Sequence, residues 1–229
     1  MSYWIWFDFG GVLTPPASET FLGFCHRVGV APADLGTAMF EVAQACGSDD
    51  VMAPLDTPLL SAGEWSTRVE TVLAERFSVE ADLSDFAGKW FADRAPNHAL
   101  VDCVRGLRQE GRPLGLLSNM VPAFEPHWRT MVDADLFDQI VFSYRLGMRK
   151  PQREIYEFAS RQADATPDRC VLIDDLEQNC AGARVAGWHA VHHEDNERTI
   201  TELTALLAHE LPGCTQLRPA PAERRSTRR

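Results

Sequence analysis

The run Tyr3-Trp4-Ile5-Trp6-Phe7-Asp8-Phe9-Gly10-Gly11 constrains this chain more than any other stretch. Its first five residues are apolar, a length that suits a buried strand and is far too short to cross a membrane. A carboxylate follows at once, and at the end of a buried strand it is costly unless something binds it. In an open parallel sheet the carboxyl ends of the strands are where ligands sit. Gly10 and Gly11 allow a tight turn and bring backbone N–H groups close to an anion. Asp8 is therefore a candidate nucleophile, metal ligand, or both.

Behind this stretch the chain changes rhythm once. Thr14-Pro15-Pro16 is a rigid exit, and residues 17–97 read as helix. Apolar residues at three- and four-residue spacing predict helices over 17–29, 33–46, 62–77 and 82–94, with a Pro- and Gly-containing loop at 47–60. Ser61 and Glu64 form a capping-box pattern at the third of these. From residue 98 onward strands alternate with helices. Strands are predicted at 113–117, 139–143, 170–173 and 189–192, and helices at 98–110, 122–131, 151–163, 177–186 and 196–210. That alternation means a parallel α/β sheet, with its strand ends gathered on one edge. The expected organisation is an α/β core from 1–14 and 98–212, a helical insertion at 15–97, and a basic tail at 213–229 expected to be disordered.

Charge narrows the partners. The formal net charge is −11, and the last twelve residues contribute +4, which leaves −15 on the rest. Such a body is a poor match for nucleic acid, whose phosphates need a basic face. The six cysteines form no C-x-x-C pair, and most lie in apolar segments, so reduced thiols of a cytoplasmic protein are expected. The apolar start carries no basic leader and reads as a strand, not a secretory signal, and no membrane association is expected. Oligomeric state is not legible.

Four strand ends or turns bring polar groups to the same edge: Asp8, Ser118-Asn119, the turn holding Lys150, and Asp174-Asp175. Acidic groups beside Asp8 can hold a hard divalent cation through oxygen. With Lys150 and backbone N–H groups near Phe9, Gly10 and Asn119, that set can neutralise and position a phosphoryl group.

In this order the motifs resemble the haloacid dehalogenase superfamily. They are Phe7-Asp8-Phe9-Gly10-Gly11-Val12-Leu13, then Leu116-Leu117-Ser118-Asn119, then Gly147-Met148-Arg149-Lys150-Pro151, then Val171-Leu172-Ile173-Asp174-Asp175. The resemblance is closest to the branch of glucose-1-phosphate phosphatases and the phosphatase domain of soluble epoxide hydrolases. It implies a Rossmann-like parallel sheet between helices, with residues 15–97 as a helical-bundle cap of the C1 type. It implies that Asp8 is the nucleophile and a Mg²⁺ ligand, that the Gly10 carbonyl and Asp175 are further ligands, and that Asp174 supports a bound water. It implies that Phe9, Gly10, Ser118, Asn119 and Lys150 hold the phosphoryl group of a small phosphorylated metabolite, with a sugar phosphate preferred. Asn179 either caps or pins the last loop or takes a direct part in the site.

One position departs from the pattern. Most phosphatases of the superfamily carry a second Asp where this chain has Gly10, and that Asp protonates the leaving oxygen. A positioned acid–base is worth on the order of 10²–10⁴-fold. Candidate replacements in the insertion are Glu19, His26, Asp49, Asp50 and Glu64, and Phe21, Phe24, Trp65, Trp90 and Phe91 are candidates for a pocket wall. The competing readings are a 2-haloacid dehalogenase, which needs no leaving-group acid, and a non-catalytic binding protein on the same scaffold.

Overall fold

In the computed structural model residues 2–208 are described, so the expectation for the 213–229 tail lies outside them. Five strands, β1 (Trp4–Phe7), β2 (Leu114–Ser118), β3 (Gln139–Phe142), β4 (Cys170–Asp174) and β5 (His189–His192), form one parallel sheet in the order β3-β2-β1-β4-β5. β1 therefore lies in the middle, flanked by β2 and β4. Its register sets Phe7 opposite Leu116 on one side and Ile173 on the other.

Alternation along β1 sends Ile5 and Phe7 to one face of the sheet and Trp6 to the other. Both faces are covered, which is why β2 and β4 are buried at every residue and read as continuous apolar runs. The larger face packs against the helical insertion and against α6 (His98–Gln109) and α11 (Asn196–Ala208). The smaller face packs Trp6, Leu117 and Val141 against α9 (Arg153–Gln162) and Trp188. Gly115 is what lets the Trp6 indole lie across β2, since a Cβ there would come within 2.2 Å of the ring.

Between β1 and α6 the insertion holds α1 (Ala17–Val28), α2 (Pro32–Ala45), α3 (Ala53–Asp56), α4 (Ala62–Phe77) and α5 (Phe86–Phe91). The expected capping box is present: the Ser61 hydroxyl accepts from the Glu64 N–H, and Glu64 reaches back to the Ser61 N–H at 2.9 Å. Two expectations need correction. The 47–60 loop contains the single-turn α3, with Pro54 in its first turn. The helix expected over 82–94 is shorter, because Asp85 has a positive φ and caps it while Asp93, also at positive φ, lies beyond its end.

After β2, Pro122–Phe124 forms a 3₁₀ turn leading into α7 (Glu125–Met131), so the helix expected from 122 starts later. β3 ends at Phe142, and Ser143–Leu146 forms α8. The helix expected from Pro151 begins at Arg153. Residues 149–152 are instead a turn, in which the Gln152 N–H donates to the Arg149 carbonyl at 2.8 Å and the Arg149 N–H donates to Gln152 Oε1 at 2.9 Å. α10 (Glu177–Val185) follows β4. Among the described residues the five cysteines are free thiols, and no helix is long and apolar enough to cross a membrane.

Candidate active site

The site is built at the carboxyl ends of β1, β2 and β4. The Asp8 N–H donates to the Ile173 carbonyl at 2.9 Å, which extends the β1–β4 pairing by one residue. Asp8 and Asp174 thus leave the sheet side by side. Beyond Asp8 the chain makes one wide turn, Phe9–Leu13, closed where the Thr14 N–H and hydroxyl both donate to the Phe9 carbonyl. Gly11 is required in that turn: its φ is +80°, and a Cβ would come within 1.9 Å of Asp175 Oδ2. Gly10 is different, since a Cβ there would meet nothing nearer than Asp8 Oδ2 at 3.9 Å.

Lys150 is delivered by the 149–152 turn and is 1% exposed. Its Nζ lies 2.8 Å from Asp8 Oδ1 and 2.5 Å from Asp174 Oδ2. Asn119 fixes that turn from the end of β2: its Nδ2 donates to the Lys150 carbonyl at 2.9 Å, and its Oδ1 accepts from the Lys150 N–H at 2.8 Å. The other oxygen of Asp174 accepts from the Leu176 N–H at 3.0 Å and from Asn179 Nδ2 at 2.9 Å. Asn179 therefore pins the loop after β4.

The electrostatics are those of crowded acids. Burial raises the Asp8 carboxyl above its usual range. Lys150 opposes this and Asp174 adds to it, while hydrogen bonds from Lys150 and Ser118 favour the charged form. Asp175 is pushed up to about 7, first by burial and then by Asp8 and Asp174. Burial by itself would lower the Lys150 ammonium, but Asp174 and Asp8 more than offset it and raise its pKa, so this lysine is charged. One oxygen from each of Asp8, Asp174 and Asp175 lies within 4.8 Å of the others. Three carboxylate oxygens with a net negative balance fit a hard divalent cation, and such an ion would relieve the repulsion that raises Asp175.

Above these groups is a cavity of about 210 Å³. Asp8, Phe9, Gly10, Ser118, Asn119, Lys150, Asp175 and Asn179 line its polar end, so the structure brings the sequence-predicted residues together, with Asp174 directly behind them. A model of the haloacid dehalogenase-like hydrolase family matches residues 4–187. The chain belongs to that family.

Relatives of this haloacid dehalogenase-like hydrolase include phosphatases. A D-ribitol-5-phosphate phosphatase of Bacteroides thetaiotaomicron is 26% identical over 209 residues, 88% of this chain and 96% of that one. The sesquiterpene phosphatase astK of Aspergillus oryzae is 30% identical over 113 residues, 49% of this chain and 58% of that protein's length. Among solved structures, a haloacid dehalogenase family enzyme of Bacteroides thetaiotaomicron, in complex with magnesium and inorganic phosphate, superposes with a TM-score of 0.60 over 85% of this chain and 95% of that one. At 19% identity that likeness is one of fold.

For this haloacid dehalogenase-like hydrolase, sequence reasoning missed three charged residues. Arg149 reaches from the Lys150 turn into the insertion, with Nη1 2.8 Å from Asp50 Oδ2 and Nη2 2.8 Å from Asp56 Oδ2. Asp56 is 2% exposed, and burial pushes its carboxyl up to about 7 against the pull of Arg149. Arg94 donates to the Thr14 hydroxyl and the Pro15 carbonyl, which ties together the two chain segments that join the insertion to the sheet. Of the four acids and one histidine considered as replacements at Gly10, only Asp50 lines the cavity. Glu64 is occupied in its capping box, and Glu19 lines two other surface depressions. Of the five candidate aromatic residues only Trp90 lines it, while Phe24 and Trp65 are core around Phe86.

Proposed function

We propose that this chain is a Mg²⁺-dependent phosphatase that hydrolyses a small phosphomonoester through an aspartyl-phosphate on Asp8. The observation that carries the reading is Asp8 itself: a buried carboxylate held by Lys150 beside two further carboxylates, at the floor of a cavity. Asp8, Asp175 and the Gly10 carbonyl would hold the metal, with Asp174 supporting from behind. When bound, Mg²⁺ supplies the positive charge that lets two anions approach and offsets the charge that develops. Lys150 and Ser118 orient the phosphoryl oxygens together with backbone N–H groups of Phe9 and Gly10, while Asn119 holds the Lys150 turn in place. The Asp8 carboxylate attacks phosphorus in line, the bond to the leaving oxygen breaks, and water then hydrolyses the acyl phosphate. Residues 15–97 act as the cap over the core formed by 1–14 and 98–212.

Gly10 offers no proton to the leaving oxygen, so the first step is expected to follow leaving-group acidity steeply. The test measures phosphate release from p-nitrophenyl phosphate, acetyl phosphate and alkyl phosphates, with Mg²⁺ and with a chelator. Turnover that requires the metal and rises with leaving-group acidity is the expected result. Turnover undiminished by the chelator would overturn the mechanism.

Metal affinity should depend on pH. Asp175 must lose its proton to bind a cation, and in the metal-free protein it does so at about 7. Protons therefore compete below that value and not above it. Calorimetric titration is expected to give a Mg²⁺ Kd about tenfold weaker at pH 6 than at pH 8, because a carboxyl with a pKa of about 7 is roughly one-tenth ionised at the first pH and nine-tenths at the second. A Kd that is flat between these pH values would remove Asp175 from the ligand set.

A further inference from the structure

Hydrolysis of an acyl phosphate on Asp8 needs a base that takes a proton from the attacking water, and Gly10 supplies none. Among the described residues no histidine, glutamate, cysteine or tyrosine lines the cavity, which leaves four aspartates: Asp8, Asp50, Asp56 and Asp175. Asp8 carries the phosphoryl group at that stage, and Asp175 faces the metal. Asp50 has both oxygens engaged: Oδ1 accepts from the Met52 N–H at 2.9 Å, and Oδ2 lies 2.8 Å from Arg149 Nη1. Asp56 has one oxygen to spare. Its Oδ2 lies 2.8 Å from Arg149 Nη2, while its Oδ1 is buried without a partner among the described residues. Three other cavity residues carry such an orphaned atom: Arg94 Nε, Arg149 Nε and Asn179 Oδ1. The first two are donors of charged guanidinium groups, and an amide oxygen is too weak a base to take a proton. Of the four atoms only Asp56 Oδ1 can accept one.

The surroundings of Asp56 suit that task. Arg149 faces two carboxylates, so the cluster carries one negative charge in excess. The Asp56 side chain is 3% exposed against 39% for Asp50, so a proton added to the cluster settles on Asp56, where the charge is less solvated. The charged groups that act on it are Arg149, Asp50 and Lys150, and burial with Asp50 outweighs the two cations to hold its carboxyl at about 7. A base is most effective with a pKa near the working pH. The residue is also fixed from two sides, since the Ser143 hydroxyl donates to its carbonyl at 2.7 Å and Arg149 holds Oδ2. At pH 8 Asp56 is mostly ionised when substrate binds. It then has no proton for the leaving oxygen, and the first step keeps its dependence on leaving-group acidity.

We propose that Asp56, supplied by the insertion, is the general base for the second half of the reaction. This rests on the phosphatase reading and extends it. Water attacks phosphorus on the side that the alcohol has left, and Asp56 Oδ1 takes one of its protons. The bond between phosphorus and Asp8 breaks, and its electron pair returns to the Asp8 carboxylate. Inorganic phosphate leaves, and Asp56 passes its proton to solvent.

The test is Asp56→Asn in the full chain, with saturating Mg²⁺ and p-nitrophenyl phosphate. The amide keeps an oxygen for Arg149 and removes one buried charge, so the fold is expected to be retained. Loss of the base slows only the second step. The expected result is a kcat about 100-fold lower with kcat/KM within about threefold of the parent. Rapid mixing should then give a burst of about one p-nitrophenol per chain, because the acyl phosphate accumulates. An unchanged kcat would overturn the proposal, and so would kcat and kcat/KM falling together, the outcome of a merely structural role. A measurement on the parent decides the matter even if the variant does not fold. Decay of the acyl phosphate, followed by rapid quench at saturating Mg²⁺, should be about tenfold slower at pH 6 than at pH 8, in proportion to the ionised fraction of a carboxyl at about 7. A decay rate equal at both pH values would overturn the proposal while leaving the phosphatase reading intact. Absence of p-nitrophenol release from the parent with Mg²⁺ would sink that reading, and the role of Asp56 with it.

Discussion

Asp8→Asn is expected to reduce phosphate release by about 10⁴-fold or more, roughly 5 kcal/mol of transition-state stabilisation. The amide is nearly isosteric, so packing around β1 is unchanged, but it cannot form the acyl phosphate. Its oxygen can still accept from Lys150, which keeps the turn that carries that lysine in place. The substitution also removes one of the negative charges crowded near Asp174 and Asp175, each of which interacts unfavourably with Asp8. The metal-free variant should therefore be at least as stable as the parent. Two measurements check this: steady-state phosphate release and urea denaturation with a chelator present. Activity within tenfold of the parent, or a variant that fails to fold, would each count against Asp8 as nucleophile on an otherwise intact scaffold.

The second large effect is on stability. Lys150 is 1% exposed and bridges Asp8 and Asp174, which are themselves 8% and 0% exposed. Lys150→Met keeps most of the side-chain length and removes the charge. Breaking a buried ion pair from one side leaves uncompensated charge behind, at a typical cost of about 3–5 kcal/mol. The sign of the pH dependence follows from Asp8, whose folded-state pKa is already raised with Lys150 present and rises further without it. A carboxylate raised in the folded state is bound to its proton more tightly there. Stability therefore falls as pH climbs from the unfolded value near 3.8 through the folded one. The deficit of Lys150→Met should be largest at pH 8 in chelator and should shrink toward pH 5. A deficit below about 1 kcal/mol, or one equal at both pH values, would show that Lys150 is not what compensates the two carboxylates.

What the sequence discloses and what it withholds divide along a physical line. Asp8, Ser118 and Asp174-Asp175 are legible because each directly follows an apolar run, and in a parallel sheet that position alone places them on one edge. The order β3-β2-β1-β4-β5 then sets Asp8 between its partners. The capping box at Ser61 is equally legible, because it is a local exchange of hydrogen bonds across three residues. Arg149, Asp50 and Asp56 are a different case. Their ion pairs join residues separated by 93 positions or more, and nothing periodic marks either side. The stretch around Asp56 looks like a proline-rich loop, and its one helical turn is held by tertiary contact, including the Ser143 hydroxyl donating to the Asp56 carbonyl at 2.7 Å. The short α5 shows the same limit. Its apolar spacing runs on past both ends, but Asp85 and Asp93 take backbone conformations that a spacing argument does not register. Aromatic residues are the least legible, since core and cavity wall share the same helical spacing, and of the five candidates in the insertion only Trp90 reaches the wall.

The division of labour between the sheet and the insertion has a consequence for how such a protein can change. The charged groups at the floor of the cavity all come from strand ends of the sheet and from the turn that carries Lys150. Met52 and Trp90, by contrast, belong to the insertion, in segments that neither contribute a strand nor touch Asp8 through a hydrogen bond. The charged floor is thus written on the core, while the cavity wall is shared between the insertion, through Met52 and Trp90, and the core, through Met120, Val121, Phe124 and Leu176. Residues 47–60 can be rewritten over generations to admit new alcohols while the floor stays fixed, provided that Asp56 remains as an acidic partner for Arg149. Inheritance of a reaction and drift of its substrates are then compatible in a single gene, because the part of the wall that the insertion supplies contributes nothing to the charged floor.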